Sequence, residues 1–550
     1  MAISQYNVMR TTEYYEITYE TPLSNQAYII CEIIFHLETQ PDLATCCLVS
    51  RLWNTCTTPI LWKKPLMKRA STFDKFIRTL VRTRQHATSY AYGCFIQSLD
   101  LSRLSCSAGE LNLISESCGV LKYLDFSYVR ELRDDILSRI SGQCSDLKSL
   151  KLLNLPNITD HSLMQIINRC HRLEHLAIGD CINIKNDSFL QLAISAEHLV
   201  TLEIFIGNTI ENDTFMLITQ HCLRLKNLHI WDCGTLDDNA IITMAFNLNI
   251  NLESLILQNL RNITDLSMKQ VAIRCPNIRH LGLEPYEGVT NDTLKAIANY
   301  CLRIESFQFT LHKAENISND GFLMMAERLK LLNKVTFQYS TPFVTDVTLS
   351  MLGIRSANNL TYLHLYNCNF TDSSFWVLEK SHPPISDLCL FAIPNVTDDP
   401  IIALLRSISG TLTSLQISNC DRITEDVVIS GIGRYCRNLK KLSLFPSTDF
   451  TIRDLNAIVS VCLQLKEFYL ASTEDIPNTI IAPTITRLRN LEKLRIRVNP
   501  NLTPDDVSMI CCGCYKLQEF FFGRSEYLND DFVHNYNLDG RKKPLIVLGP

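Results

Sequence analysis

No run of about 18 or more continuous apolar residues occurs in the 550-residue sequence, which argues against a membrane-spanning helix. The opening stretch, MAISQYNVMRTTEYYE, has no basic start followed by an apolar core, so no export signal is expected. Acidic and basic residues nearly balance, 57 against 52. The formal net charge is -5, which gives no broad electrostatic case for nucleic acid or an anionic membrane as partner. G-x-S-x-G, G-x-x-x-x-G-K and H-E-x-x-H are all missing, so neither an acyl-transfer nucleophile, a phosphate-cradling loop nor a zinc-hydrolase helix is indicated. The histidines are scattered, some in strand positions such as His229 and His364. Only Cys511, Cys512 and Cys514 lie close enough together to resemble metal ligands, and no histidine stands at ligand spacing from them. No catalytic residue, metal or cofactor is therefore expected, and the chain does not read as an enzyme.

What the sequence has is apolar content and repetition. It is 46% hydrophobic and 20% charged, ordinary for a globular chain and too apolar for a disordered one. Its length exceeds what one ordinary core serves, so several domains or a repeat array are expected. The array is visible directly. CSDLKSLKLLNLPNITDHSLMQIINR starts at Cys144 and CHRLEHLAIGDCINIKNDSFLQLAIS at Cys170, and 17 such copies recur at spacings of 25 to 28 residues. In each, L-x-x-L-x-L puts alternate residues of a short strand on one buried face. About fourteen residues into the copy comes I-T-D or a variant, as at Ile158-Thr159-Asp160, Ile263-Thr264-Asp265 and Val396-Thr397-Asp398, a helix-capping signal ahead of an apolar-periodic run. One strand and one helix cannot bury their apolar faces alone, but stacked units can. The prediction is an α/β solenoid, a curved horseshoe with an inner parallel sheet and outer helices.

This pattern, C-x-x-L-x-x-L-x-L-x-x-C-x-x-I-T-D, resembles the cysteine-containing leucine-rich repeat over roughly residues 92–539. Of the 22 cysteines, nine lead a copy, and Cys181, Cys233, Cys368 and Cys420 fill the second cysteine position. Small apolar groups suit tight inter-repeat turns, so these thiols are expected in the core. The N-x-S/T triplets at Asn157, Asn262, Asn316, Asn395 and Asn501 fall in the slot before the helix cap, and their glycosylation is not expected.

Residues 21–67 lack the repeat period. YIICEIIFHL places Ile29, Ile30, Ile33, Ile34 and Leu37 on one helical face, Asp42 offers a cap, and DLATCCLVSRLWN forms a second amphipathic segment closed by ILWKK. About 45 residues with this much apolar surface make a marginal core, so the surplus is expected to bury against a partner. The spaced elements Ile34-Phe35-x-Leu37, Asp42-Leu43, Leu48-Val49-Ser50-Arg51-Leu52-Trp53 and Leu61-Trp62 resemble an F-box, with Ala27 standing where that family has proline. The resemblance implies an all-helical N-terminal module that docks the Skp adaptor of a Skp–cullin–F-box ubiquitin ligase. The contact residues would be Ile30, Ile34, Phe35, Leu37, Leu43, Leu48, Val49, Trp53, Leu61 and Trp62. The overall look is that of a fungal member of the F-box/leucine-rich-repeat proteins.

The expected organisation is thus a tail (1–20), the F-box (21–67), a linker helix (68–91), the repeats (92–539) and a C-terminal tail (540–550). Side chains alternating with the buried leucines point to the concave face, where the resemblance implies that a protein substrate binds. The strand phase projects Phe205, His229 and Trp231 there, then Tyr362, His364, Tyr366 and Phe391, then Phe445 and Tyr469. Lys493, Arg495 and Arg497 project together as a basic ladder suited to an acidic or phosphorylated segment. Two other readings stand beside a ligase receptor: a repeat scaffold or inhibitor acting without a ligase, and a small-molecule receptor, which the near-constant repeat spacing disfavours. The expected location is cytoplasmic or nuclear.

Overall fold

A computed structural model describes residues 25–37, 40–67, 70–102, 104–205, 210–285, 287–311, 316–339, 344–445, 450–472, 476–498, 502–523, 528 and 545–548. The expected tail 1–20 and Asn501 lie outside these residues.

Four helices come first: α1 (Asn25–Phe35), α2 (Gln40–Cys46), α3 (Arg51–Lys63) and α4 (Ala70–Arg84). Ser50 starts α3, its side chain accepting from the Trp53 amide as an N-cap should. The strand–helix alternation follows. The first six strands are β1 (Ser98–Asp100), β2 (Tyr123–Asp125), β3 (Ser149–Leu153), β4 (His175–Gly179), β5 (Thr201–Phe205) and β6 (Asn227–Trp231). Each strand pairs in parallel with the next along the chain, and the described residues form one 18-stranded sheet. The last strand, Leu545–Leu548, comes from the expected C-terminal tail and adds to Glu519–Phe522.

Register follows the repeat. Leu124, Leu150, Leu176, Leu202, Leu228 and Leu255 stand side by side, and all are buried. Strands neighbour one another at about 4.8 Å whereas helices need about 10 Å, so the stack bends with its strands inside. One continuous core runs from Met67 to Leu528, with Phe73, Phe76 and Leu80 of α4 closing its N-terminal end.

Three ladders 25 to 30 residues apart tie each repeat to the next. Thr caps the helix as expected, as Thr264 does for Asp265–Arg274. The Asp that follows serves the neighbouring repeat: Asp238 accepts from the amide and hydroxyl of Thr264 at 2.8 and 2.6 Å, and Asp346 accepts likewise from Thr371. At the other helix end the leading cysteines cap, and their thiols donate to the preceding repeat: Cys170 Sγ lies 3.4 Å from the Cys144 carbonyl and Cys462 Sγ 3.3 Å from that of Cys436. The thirteen cysteines assigned to the core are buried. Burial pushes the Cys170 and Cys222 thiols up to about 12, which keeps them neutral. The third ladder uses the asparagines of the N-x-S/T triplets. The side chains of Asn157, Asn262 and Asn316 donate to carbonyls of the preceding repeat at 2.7, 2.8 and 3.0 Å, so their amide nitrogens already hold structural bonds.

Candidate functional site

In the N-terminal helices, Ala27, Ile30 and Ile34 lie on the inward stripe of α1 and meet Leu43 of α2. Leu37, Trp53, Cys56, Ile60 and Leu61 pack around them. This corrects the expected contact set. Ile30, Ile34 and Leu43 are buried within the chain and cannot face a partner, because three short helices spend their few large side chains closing their own core. Leu37, Trp53 and Leu61 are half-buried against the same cluster. Ile29 and Ile33, expected on the same face as Ile30, turn outward instead, since the 3.6-residue period admits only one stripe of this helix to the core. The outward residues define the site. Phe35 is 79% exposed, Leu48 85% and Val49 61%, with Tyr28, Ile29, Ile33 and Leu52 exposed on the same small unit. Leu48 and Val49 sit in the turn before the Ser50 cap, a position fixed at one end by α2 and at the other by α3.

Trp62 is corrected too. Its ring lies 4.4 Å from that of Tyr92 and 6.1 Å, nearly parallel, from that of Phe76. It belongs to the joint with α4 and the first repeat, not to a free surface. The joint has polar bolts as well: Tyr90 donates its hydroxyl to Asn54 Oδ1 at 2.9 Å, and the Gln97 amide donates to the Lys63 carbonyl at 3.0 Å. Stacked rings and these hydrogen bonds hold the helical unit against the solenoid.

On the strand side, the residues projected toward the concave face all alternate with buried neighbours as expected. Their chemistry divides them. Phe205 lies against Trp231, ring centroids 5.9 Å apart, and Trp231 is 41% exposed. His229 places Nε2 3.0 Å from Ser254 Oγ and Nδ1 3.7 Å from Glu203. Burial pulls the His229 pKa down against the opposing pull of Glu203.

Farther along, Tyr362 and Tyr366 hold His364 between them. Both hydroxyls reach its Nδ1, at 2.8 and 3.1 Å, and Nε2 lies 2.9 Å from Asp387. Nδ1 has one lone pair, so the two hydroxyls share that position while Nε2 faces the Asp387 carboxylate. The His364 side chain is only 13% exposed, so it serves as a clamp behind the tyrosines rather than as a contact. Burial, then the Asp387 charge, push the Tyr362 hydroxyl up to about 12, and burial raises Tyr366 as well. Both stay protonated. The result is a rigid aromatic strip that continues to Phe391, 6.1 Å from Tyr366.

At the far end the three-residue basic ladder is shorter than the sequence implied. Glu467 takes Lys441 at 3.5 Å and Lys493 at 3.9 Å and accepts from the Tyr469 hydroxyl at 3.2 Å. Lys493 therefore stands in an alternating charge row, because register sets it between Glu467 and Glu519. Arg495, stacked 4.1 Å over Phe521, and Arg497 remain as exposed cations, with Phe445 half-buried two strands away. Among the described residues no group of three or more His, Cys, Asp or Glu is placed to hold a metal ion.

A small helical unit with an exposed apolar edge, bolted to a parallel-stranded solenoid, is the architecture of F-box/leucine-rich-repeat proteins, which this chain resembles. The family described as F-box-like matches residues 29–68. F-box/LRR-repeat protein 4 of Bos taurus is 27% identical over 254 residues, covering 43% of this chain and 39% of that protein. The chain thus spans less than half the length of that relative, and neither match bears on a fungal origin. Among solved structures, a chain of the yeast Rad7 and Elc1 complex is similar with a TM-score of 0.46 at 14% identity, over 88% of this chain and 98% of that one. A chain of the mouse RP105/MD-1 complex is similar with a TM-score of 0.41 at 11% identity, over 82% of this chain and 94% of that one.

Proposed function

We propose that this chain is the substrate-recognition subunit of a Skp–cullin–F-box ubiquitin ligase. One observation carries the reading: Phe35, Leu48 and Val49 are exposed on a helical unit whose own core is already complete. Large apolar side chains presented this way are docking anchors, each contributing about 2 kcal/mol when a partner covers it. The adaptor would bind there, and the cullin through it. Ubiquitin transfer belongs to other subunits, so the chain contributes binding energy and position. Its joint at Trp62 fixes the distance between adaptor and substrate, which raises the effective concentration of a substrate lysine near the charged conjugating enzyme. The concave strip of Phe205, Trp231, Tyr362, Tyr366, Phe391, Phe445 and Tyr469 would hold the protein substrate, with Arg495 and Arg497 free to take an acidic or phosphorylated segment. Cytoplasm or nucleus is the proposed location, supported by 22 cysteines that are all free thiols.

The test is capture of a purified Skp adaptor by the full chain. Wild type should retain adaptor and cullin, and Leu48→Asp with Val49→Asp should lose both while melting at the wild-type temperature, because neither side chain supports the core. A folded wild-type chain that ignores the adaptor would leave a ligase-independent scaffold as the reading.

A further inference from the structure

Along β4 the concave positions are His175, Ala177 and Gly179, and the two small residues are buried. On either side stand longer residues, Lys151 and Leu153 on β3 and Glu203 and Phe205 on β5, in register with them. The missing side chains leave a trench. At Gly179 the space is already taken, since a Cβ there would lie 2.5 Å from that of Phe205, so the hollow lies over Ala177. The hollow has a volume of about 350 Å³ and is lined by Lys151, His175, Ala177, Thr201, Glu203 and His229 among others.

Glu203 is the unusual member. It stands mid-strand on the concave side, whereas the glutamates just ahead of the strands are paired across to the neighbouring repeat: Glu174 with Lys148 at 2.6 Å, Glu253 with Lys226 at 2.8 Å, Glu305 with Arg279 at 2.8 Å and Glu492 with Lys466 at 2.8 Å. The Glu203 side chain is only 23% exposed, yet among the described residues no donor hydrogen-bonds to it. Its nearest nitrogen is His229 Nδ1 at 3.7 Å, too far for a hydrogen bond. Burial lowers the pKa of that imidazole against the opposing pull of Glu203, with His280 on the side of burial. Lys151, on the opposite wall, is two strands away, about 10 Å, and reaches out into water. A half-buried carboxylate without a donor leaves part of its desolvation cost unmet, and a cationic ligand would meet it.

We propose that this trench receives one basic side chain of the bound protein, an arginine by its shape, with the guanidinium on Glu203 and the stem along Ala177. The proposal rests on the reading that the substrate lies on the concave face, and it adds a specificity element to that face. Arginine fits better than lysine because a planar fork matches a carboxylate and can stack on a flanking ring, here the His229 imidazole.

The experiment titrates N-acetyl-arginine amide into the full chain carrying ¹⁵N-labelled histidine, reading the His229 imidazole signal. A saturable shift is expected, with N-acetyl-citrulline amide about tenfold or more weaker because it keeps the shape and lacks the charge. Glu203→Gln should weaken arginine binding by about the same factor, and Ala177→Leu should block it by filling the trench while leaving the carboxylate in place. An equal response to arginine and citrulline, or an unchanged affinity in Glu203→Gln, would overturn the assignment. Adaptor capture measured on the same samples separates the two ideas: if capture persists while arginine fails to bind, the trench proposal falls and the ligase reading stands.

Discussion

Asp265 offers the most direct test of how the repeats hold one another. Its carboxylate accepts from the Thr290 amide at 3.0 Å, the Thr290 hydroxyl at 2.7 Å, the Thr293 amide at 3.1 Å and the Thr293 hydroxyl, all in the next repeat. Removing it with Asp265→Ala leaves four donors to find water at a partly open site. A hydrogen bond to a charged group contributes about 1.5–3 kcal/mol, but several share this carboxylate and solvent is close, so a loss of roughly 2–3 kcal/mol is expected. The chain contains its own control. Asn291 occupies the equivalent position one repeat on, its Oδ1 accepting from the Ser318 amide at 3.0 Å and its Nδ2 donating to the Ser318 hydroxyl at 2.8 Å. Asp265→Asn should therefore cost less, about 1 kcal/mol or below.

Acid should separate the two variants further. Burial tends to raise the Asp265 pKa, but the threonine hydrogen bonds and Lys269 outweigh it, so the folded value lies below the usual 3.8. A depressed carboxylate pKa contributes stability that is complete above the unfolded value and disappears as pH falls through the folded one. The gap between wild type and Asp265→Asn should hold at neutral pH and shrink below 3.8. Because repeats contact only their neighbours, the damage should also be local, seen as faster amide exchange across the helix Asn291–Tyr300 by mass spectrometry. Exchange there and a urea midpoint both unchanged in Asp265→Ala would refute the interlock.

Other outcomes are expected from the same geometry. Trp62→Ala, which empties a stack on Tyr92 and Phe76, should cost about 2–3 kcal/mol and speed proteolytic cleavage near residues 64–67, with the solenoid left folded. Iodoacetamide at pH 8 on the native chain should reach the exposed Cys94 and Cys512 first, while Cys170, Cys222 and Cys275, raised to about 12 by burial, stay unmodified until denaturant is added. Ile34→Asp should unfold the N-terminal helices, in contrast to Leu48→Asp, because the first side chain is fully buried and the second is 85% exposed.

The strand phase, the capping threonines and the buried cysteines could all be read directly, because each is a local pattern repeated at a fixed period. The F-box resemblance rested on motif spacing, but the tryptophans that signalled it proved to be engaged within the chain, Trp53 half-buried against the core of the helical unit and Trp62 in the joint. A hydrophobic motif shows which residues need burying and leaves open whether the chain or a partner does it. The Asp–Thr interlock, the pairing of Lys493 with Glu467 and the donorless carboxylate of Glu203 were missed for a different reason. Each depends on what stands beside a residue one repeat away.

The sequence by itself determined the solenoid. A strand and a helix of this size cannot exclude water alone, so the 25- to 28-residue period leaves stacking as the way to bury the leucines. Only the tertiary structure decided which surfaces remain for other molecules, because exposure and charge balance are set by cross-strand neighbours that are adjacent in space and a full repeat apart in the chain.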